Sequence, residues 1–362
     1  MTNDITTRPR RTLIQWAKDY GVVLALVGLV AIISLAQPTF LSFPNQMNIL
    51  GQWAPVAIMG IGMTYVVLTG GFDLSVGATY ALAAVVAAAV GQTQSPLVAF
   101  TAAILAGAAV GALNGAVITG LKVNPFIATL GTSLIVAGVT LVITSNRAFI
   151  VDFEPFAALG RERFLGVPYS GLLVIALMVI AGLVLAYTSY GQQVYAVGGN
   201  AEASRLSGIR TNAVVSSTYV IAGVTAGIAG VVTASRLSSA QASLAGNIVF
   251  DVLTVVIVGG TLLGGGTGAI WRTAVGVGIL ATLQNGFNLL DIDAYYQDII
   301  KGVIIILALA TVDWRRVLAR LRPATGSASD SATPPTDPPS PSTAATRPDG
   351  EHTTAQERKD NV

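Results

Sequence analysis

From residue 20 onward the chain is a succession of apolar stretches, each close to the length of a bilayer-spanning helix and separated by short polar or glycine-rich breaks. They run over approximately 20–36, 46–69, 75–91, 97–119, 125–145, 170–188, 213–234, 250–266, 271–289 and 294–311. Pro96, Pro125, glycine turns and the polar stretch 146–169 supply the breaks. The pattern predicts an all-α polytopic membrane protein of about ten transmembrane helices. Segments starting near Pro125 and near Asp251 are candidates for broken or re-entrant elements, so ten is a working count.

The flanks differ from this middle. Residues 1–18 are polar and basic, with Arg8, Arg10, Arg11 and Lys18 ahead of the first apolar run. A basic start, an apolar run and Ser34-Leu35-Ala36 imitate a cleaved signal peptide. The run is longer than a usual signal core and further spans follow at once, so a retained anchor is expected. From about 323 the sequence is rich in Pro, Ser, Thr, Ala and Asp, which cannot bury apolar surface and reads as a disordered tail. Cations orient the whole. With the N-terminus inside, inner loops hold Lys122, Arg205, Arg210 and Arg272, and the C-terminal flank adds Arg315, Arg316, Arg320 and Arg322. Outer loops receive Arg147, Arg161, Arg163 and Arg236, offset by Asp152, Glu154 and Glu162. The expected division is a cytoplasmic basic N-terminus over 1–18, a transmembrane domain over 19–312, and a cytoplasmic basic flank and tail over 313–362.

Composition narrows the chemistry. Only 10% of residues are charged against about 25% in soluble domains, and mean hydropathy is +0.69, so a soluble enzyme is excluded. The net charge of +2 is too balanced for nucleic acid. There is no cysteine, and the single histidine, His352, lies in the polar tail, which removes disulfides, thiol chemistry and His-dependent triads. No Gly-Lys dipeptide occurs, hence no Gly-x-x-x-x-Gly-Lys-[Ser/Thr] phosphate loop; nor is there a Gly-x-Ser-x-Gly elbow or a His-Glu-x-x-His pair. No catalytic residue or metal site is predicted. Transport, if powered, draws on an ion gradient or on another subunit.

Small residues recur at helical spacing: Gly107, Gly111 and Gly115; Gly260, Gly264 and Gly268; Gly223 and Gly227. Such spacing predicts close backbone packing between helices in lipid. Ionisable groups at membrane depth are Asp73, Asp251, Asp298 and Lys301. Asp298 and Lys301 are three apart and read as a neutralising pair. Asp73, in Gly70-Gly71-Phe72-Asp73-Leu74-Ser75-Val76-Gly77, reads as a cap for a helix start or as a substrate contact, and Asp251 reads alike. The stretch 189–212 predicts either an ordinary polar loop or a short amphipathic helix ended by Gly208. Phe72-Asp73-Leu74 is echoed by Phe250-Asp251-Val252, a weak sign of two related halves.

GMTYVVLTGGFDLSVGATYALAA (62–84), NPFIATLGT (124–132), YAVGGNAEASRLSGI (195–209) and VIVGGTLLGGGTGAIWRTAVG (256–276) resemble, in that order, permease subunits of ribose/xylose/galactose-type ABC importers. The resemblance covers about 20–312. It implies a cell-membrane subunit that works as a homodimer or beside a related permease. It further implies ABC ATPase subunits that bind ATP and Mg, and an extracytoplasmic sugar-binding protein. This chain would carry no cofactor of its own. The family's cytoplasmic coupling helix falls on Gly198, Gly199, Asn200, Glu202, Ala203, Ser204 and Gly208, with Ser204 standing where the pattern has a second alanine.

Under that reading a monosaccharide crosses a polar, weakly binding path. Its candidates are Gln52, Trp53, Asp73, Asn114, Phe126, Gln284 and Asn285, because amides and aromatic faces suit hydroxyl-rich solutes. The alternatives are a proton-coupled carrier titrating Asp73, Asp251 or Asp298, a permease for branched-chain amino acids or nucleosides, and a membrane scaffold without transport.

Overall fold

The structure, a computed structural model, describes residues 13–293, 295–304 and 306. It is built on helices: α1 (Leu13–Ala36), α2 (Phe43–Leu68), α3 (Val76–Gly91), α4 (Pro96–Gly120), α5 (Pro125–Thr144), α6 (Glu154–Arg161), α7 (Tyr169–Tyr187), α8 (Ser189–Gly199), α9 (Ala201–Leu206), α10 (Thr211–Leu237), α11 (Ile248–Val258) and α12 (Ile270–Leu289). A further helical run follows over 295–304. The basic start before residue 13, the Arg315–Arg322 flank and the tail lie outside the described residues.

Proline sets several starts. Pro44, Pro96 and Pro125 sit in the first turns of α2, α4 and α5, where a missing N–H removes nothing from the helix. Asn124 caps α5 by accepting from Phe126 N at 2.9 Å. α5 is therefore one unbroken helix, and the alternative of a break at Pro125 is not realised.

Among the described residues, five helices are long and apolar enough to cross a membrane: α2, α4, α5, α7 and α10. Burial sorts them. The apolar window of α2 is 78% buried and that of α7 only 22%, so α2 is an inner helix and α7 offers an apolar face to its surroundings. α10 is the other inner helix, lying against α2, α3 and α4.

Glycine makes that proximity possible. Gly107 and Gly111 on α4 face the backbone of α10 at Gly223, Gly227 and Tyr219, and Gly115 faces Ser216. At these points a side chain would displace main chain from main chain. The spacing expected over 260–268 has a different meaning. α11 stops at Val258, residues 259–269 are not helical, and Gly260 has φ +92°. The expected span 250–266 is thus a short helix and a loop, because Gly259-Gly260 ends the helix and three more glycines follow before Gly268.

The stretch 146–169 folds into small structures at one end of the bundle. β1 (Phe149–Ile150) pairs antiparallel with β4 (Ser239–Ala240), Phe149 opposite Ala240. β2 (Arg163–Phe164) and β3 (Val167–Pro168) form a hairpin whose two turn residues, Leu165 and Gly166, both have positive φ. The start of α2 lies at the same end: Gly51 is beside Pro168 and Ser170, and Arg163 Nη2 donates to Asn48 Oδ1 at 2.8 Å.

Gly107→Val is expected to destabilise the chain by about 1–3 kcal/mol or more, since its branched side chain meets the Gly223 carbonyl. Gly120→Ala, with no atom within 4 Å of the added carbon, serves as the neutral comparison. Thermal unfolding in detergent of the two variants and the parent checks the difference.

Candidate functional site

Two helix ends meet at the other end of the bundle. α2 terminates with Gly70 in the left-handed region (φ +79°), Gly71 N bonded to Val66 O at 3.0 Å and Gly70 N to Val67 O at 2.9 Å. α11 ends in the same way, with Thr261 N on Val256 O and Gly260 N on Ile257 O. The cap leaves the Leu68 carbonyl free, and Gly266 N takes it at 2.8 Å. Gly198, near the end of α8, lies against this bond: an added carbon there would run into the Leu68 carbonyl and the Gly266 nitrogen. An added carbon on Gly265 would lie 2.8 Å from Gly198 O and 2.9 Å from Gly70 N. The turns at Gly70 and at Gly265–Gly266 and the helix end at Gly198 thus form one junction, with Tyr195 OH closing it on Gly268 O at 2.8 Å.

α8 passes into α9 at Asn200, whose side chain accepts from Ala203 N at 2.9 Å. α9 ends as the sequence predicts: Gly208 has φ +86°, its N–H reaches Arg205 O, and Ile209 N reaches Ser204 O at 3.0 Å. Ser204 is buried, which explains a small residue there, while Ala203, Glu202 and Leu206 face outward. Glu202 and Arg205 form an exposed bidentate pair at 2.6 and 3.1 Å. The hydrogen bond and charge of Arg205 hold the Glu202 carboxyl below the ordinary carboxylate range, so the pair is ionised at neutral pH. Of the two readings for 189–212, the short glycine-ended helix is the one formed.

Between α2 and α3 the chain is non-helical and largely buried. Asp73 Oδ1 accepts from Ser75 N at 2.8 Å and Ser75 Oγ at 2.6 Å, and Asn114 Nδ2 donates to Ser75 Oγ at 2.7 Å. Tyr219 OH donates to Phe72 O, and Leu74 N to Thr129 Oγ1. Asp73 is thereby a local cap tied to α4 through Asn114. The Asn114 Oδ1 atom is buried without a partner.

At the opposite end a cavity of about 810 Å³ opens between α2, α10, α11, α12 and the 295–304 helix. Gln52, Trp53 and Gln284 line it, with Asp251, Asp298 and Lys301. Pro55 within α2 deprives the Gly51 carbonyl of its helical donor, and Arg236 Nη1 supplies one at 3.3 Å, fixing a cation at the cavity rim. Lys301 Nζ lies 3.4 Å from Asp251 Oδ1 and 3.9 Å from Asp298 Oδ1. Asp251 therefore differs from Asp73: it stands in the first turn of α11 and its partner is a lysine on another element. The Asp298–Lys301 pair exists as expected and is extended by Asp251.

The remaining path candidates separate. Asn114 and Asp73 lie in the buried network; they are not among the residues lining that cavity. Asn285 exchanges amide hydrogen bonds with Asn45 at 2.9 and 3.0 Å and so clamps α12 to the start of α2. Phe126 is 52% exposed at the start of α5. Two features were not read from the sequence. Gly266 as a ligand of Leu68 carries no local signal, whereas a proline four residues after Gly51 does announce a freed carbonyl.

Comparison with known proteins identifies the likeness. Residues 45–309 match the family described as branched-chain amino acid transport system / permease component. The chain is 40% identical to the ribose import permease protein RbsC of Escherichia coli K12 over 314 residues, covering 85% of this chain and 98% of that one. It is 40% identical to the ribose import permease protein of Bacillus subtilis 168 over 80% of this chain and 91% of the relative. With the L-arabinose transport system permease protein AraH of Escherichia coli K12 it shares 34% identity over 80% of this chain and 89% of the relative. No solved structure matches.

Adjacent glycines at the junction are expected to behave oppositely. Gly198→Ala forces apart α2, α8 and the 259–269 loop and should lower the thermal midpoint by several degrees, whereas Gly199→Ala, with nothing within 4 Å, should leave it unchanged. Melting curves of the purified variants decide this.

Proposed function

The chain belongs to the branched-chain amino acid transport system / permease component family, and on that premise we propose how it works as the membrane-spanning permease subunit of an ATP-driven importer of a monosaccharide. Its likeness to ribose import permeases over 80–85% of its length carries the reading. Ribose and arabinose, the sugars named for the relatives, are both pentoses, which favours a pentose over an amino acid or nucleoside. The chain is a transport subunit and not an enzyme. It contains no phosphate loop, so ATP is bound and hydrolysed by partner ATPase subunits.

A polypeptide of about ten spans with both termini in the cytoplasm places Lys122, Arg205, Arg210 and Arg272 inside. The glycine junction and α9 then face the ATPases, and the large cavity faces the extracytoplasmic binding protein. A second copy of the chain, or a related permease, completes the channel. Sugar released from the binding protein enters the cavity lined by Gln52, Trp53 and Gln284. Movement of the ATPases reaches α2 and α11 through Gly198, because that residue touches the ends of both helices' connecting turns. Exposed Glu202, Ala203 and Leu206 supply the docking face, and Asn200, Ser204 and Gly208 fix its shape. Asp73 and Asn114 hold the interrupted stretch between α2 and α3 and support the path from outside it.

In reconstituted vesicles, uptake of D-ribose or L-arabinose is expected to require ATP, the ATPase subunit and the loaded binding protein, and to persist when the proton gradient is collapsed. Uptake by this chain alone after a pH step would establish the proton-coupled alternative instead.

Gly208→Val and Glu202→Lys are expected to lower ATPase association or uptake per ATP hydrolysed by ten-fold or more. The first strains a left-handed cap and the second reverses an exposed charge. Counting ATPase subunits bound per permease alongside uptake tests both; wild-type values for the pair would move coupling to the 259–269 loop.

A further inference from the structure

The large cavity is lined by an ion-pair cluster drawn from two helices. Asp251 stands in the first turn of α11, and Asp298 and Lys301 are on the 295–304 helix. All three line the cavity together with Gln52, Trp53 and Gln284. Lys301 and Asp251 side chains are 20% and 24% exposed, so each is mostly withdrawn from bulk solvent and still open to the cavity.

Their spacing is informative. An ammonium–carboxylate hydrogen bond closes to about 2.7–2.9 Å, whereas Lys301 Nζ stands 3.4 Å from Asp251 Oδ1 and 3.9 Å from Asp298 Oδ1. Lys301 has three N–H donors and Asp251 two acceptor oxygens, so a single contact between them leaves capacity on both for a solute. Withdrawing such groups from water without full pairing is unfavourable, and it is tolerated at membrane depth where a site needs them. Of the amides nearby, Gln52 is exposed on the cavity wall and two others are committed elsewhere. Gln284 Nε2 donates to Gln297 Oε1, and Asn285 is paired with Asn45.

We propose that Asp251 and Lys301 form the sugar-gripping subsite of the cavity, taking adjacent hydroxyl groups of a neutral polyhydroxylated solute. One hydroxyl donates to the Asp251 carboxylate and its neighbour accepts from the Lys301 ammonium. A solute whose every hydroxyl both donates and accepts spans the two groups without changing the net charge of the site. Trp53, 9% exposed, lines the same cavity and adds apolar surface to it. The cavity of about 810 Å³ falls in the usual range for small-molecule sites, about 300–1,000 Å³, and leaves room for water around a pentose. The proposal rests on the sugar-import reading and deepens it by naming the residues that contact the solute.

The absence of cysteine from the whole sequence makes a direct test practical. Asn48→Cys introduces a single thiol on the cavity wall. In the purified permease assembled with its ATPase, 50 mM D-ribose or L-arabinose is expected to slow maleimide labelling of that thiol at least three-fold. In the Asn48→Cys/Asp251→Asn/Lys301→Gln background, which removes both charges together and leaves no orphaned ion, this protection should disappear and uptake of either pentose should fall at least ten-fold. Retention of the wild-type ATPase ratio by that variant shows that it folds. If it fails to assemble, labelling of Asn48→Cys alone decides: no slowing by either pentose overturns the subsite. Protection that survives loss of both charges overturns it too, and the pair is then a structural tie between α11 and the 295–304 helix. Should the wild-type assembly import neither pentose on ATP, the pentose-import reading falls, and the subsite with it; import without protection removes the subsite alone.

Discussion

A backbone interrupted inside a membrane protein must find partners for every freed N–H and C=O within the protein itself, because hydrocarbon offers none. That constraint organises this chain. The two interrupted stretches, 69–75 and 259–269, end helices with the same left-handed glycine cap, and the Leu68 carbonyl left over by one is taken by Gly266 of the other. Within the first stretch Asp73 takes the Ser75 N–H, Thr129 the Leu74 N–H, and Tyr219 donates to the Phe72 carbonyl. The breaks consequently define each other's positions, and α8 is held where they meet because Gly198 admits no side chain.

Close packing around α10 serves the same geometry. Lipid tails are as apolar as leucine, so helices associate through shape and backbone approach more than through burial of apolar area. Gly107, Gly111, Gly223 and Gly227 permit that approach, and the outer helices α4, α5 and α7 keep their large apolar side chains outward. α11 joins the two ends of this arrangement. Its first turn carries Asp251 into the cavity, and its last turn feeds the glycine junction, a span of only 11 residues. α11 is thus a short helix whose two ends lie at the cavity and at the glycine junction.

Most of the fold was legible in the apolar periodicity. Helices α2, α3, α4, α5, α7, α10 and α12 begin and end within a few residues of the stretches the pattern marks, since proline starts and glycine ends are local signals. The cap at Gly208 was equally legible, as a glycine after a short polar helix has one common use. For the stretch 250–266 the sequence left a full span and a broken element near Asp251 both open, and the broken one formed, because periodicity cannot separate a glycine that packs from a glycine that turns. Asp251 misled for a related reason: its local sequence resembles that around Asp73, yet its partner Lys301 is fifty residues away.

The sequence by itself determined the solvent in which this chain folds and the type of its elements, and it carries no Gly-x-x-x-x-Gly-Lys-[Ser/Thr] phosphate loop. These are properties of composition and short-range spacing, and no folding is needed to read them. Tertiary structure decided which polar residues share a space. It gathered Gln52, Trp53, Gln284, Asp251 and Lys301 around one cavity, set Asp73 and Asn114 apart in another network, and spent Asn285 on Asn45. Those assignments depend on how helices far apart in sequence turn toward one another, and that rotation is set by backbone contacts at glycines whose partners the sequence does not name.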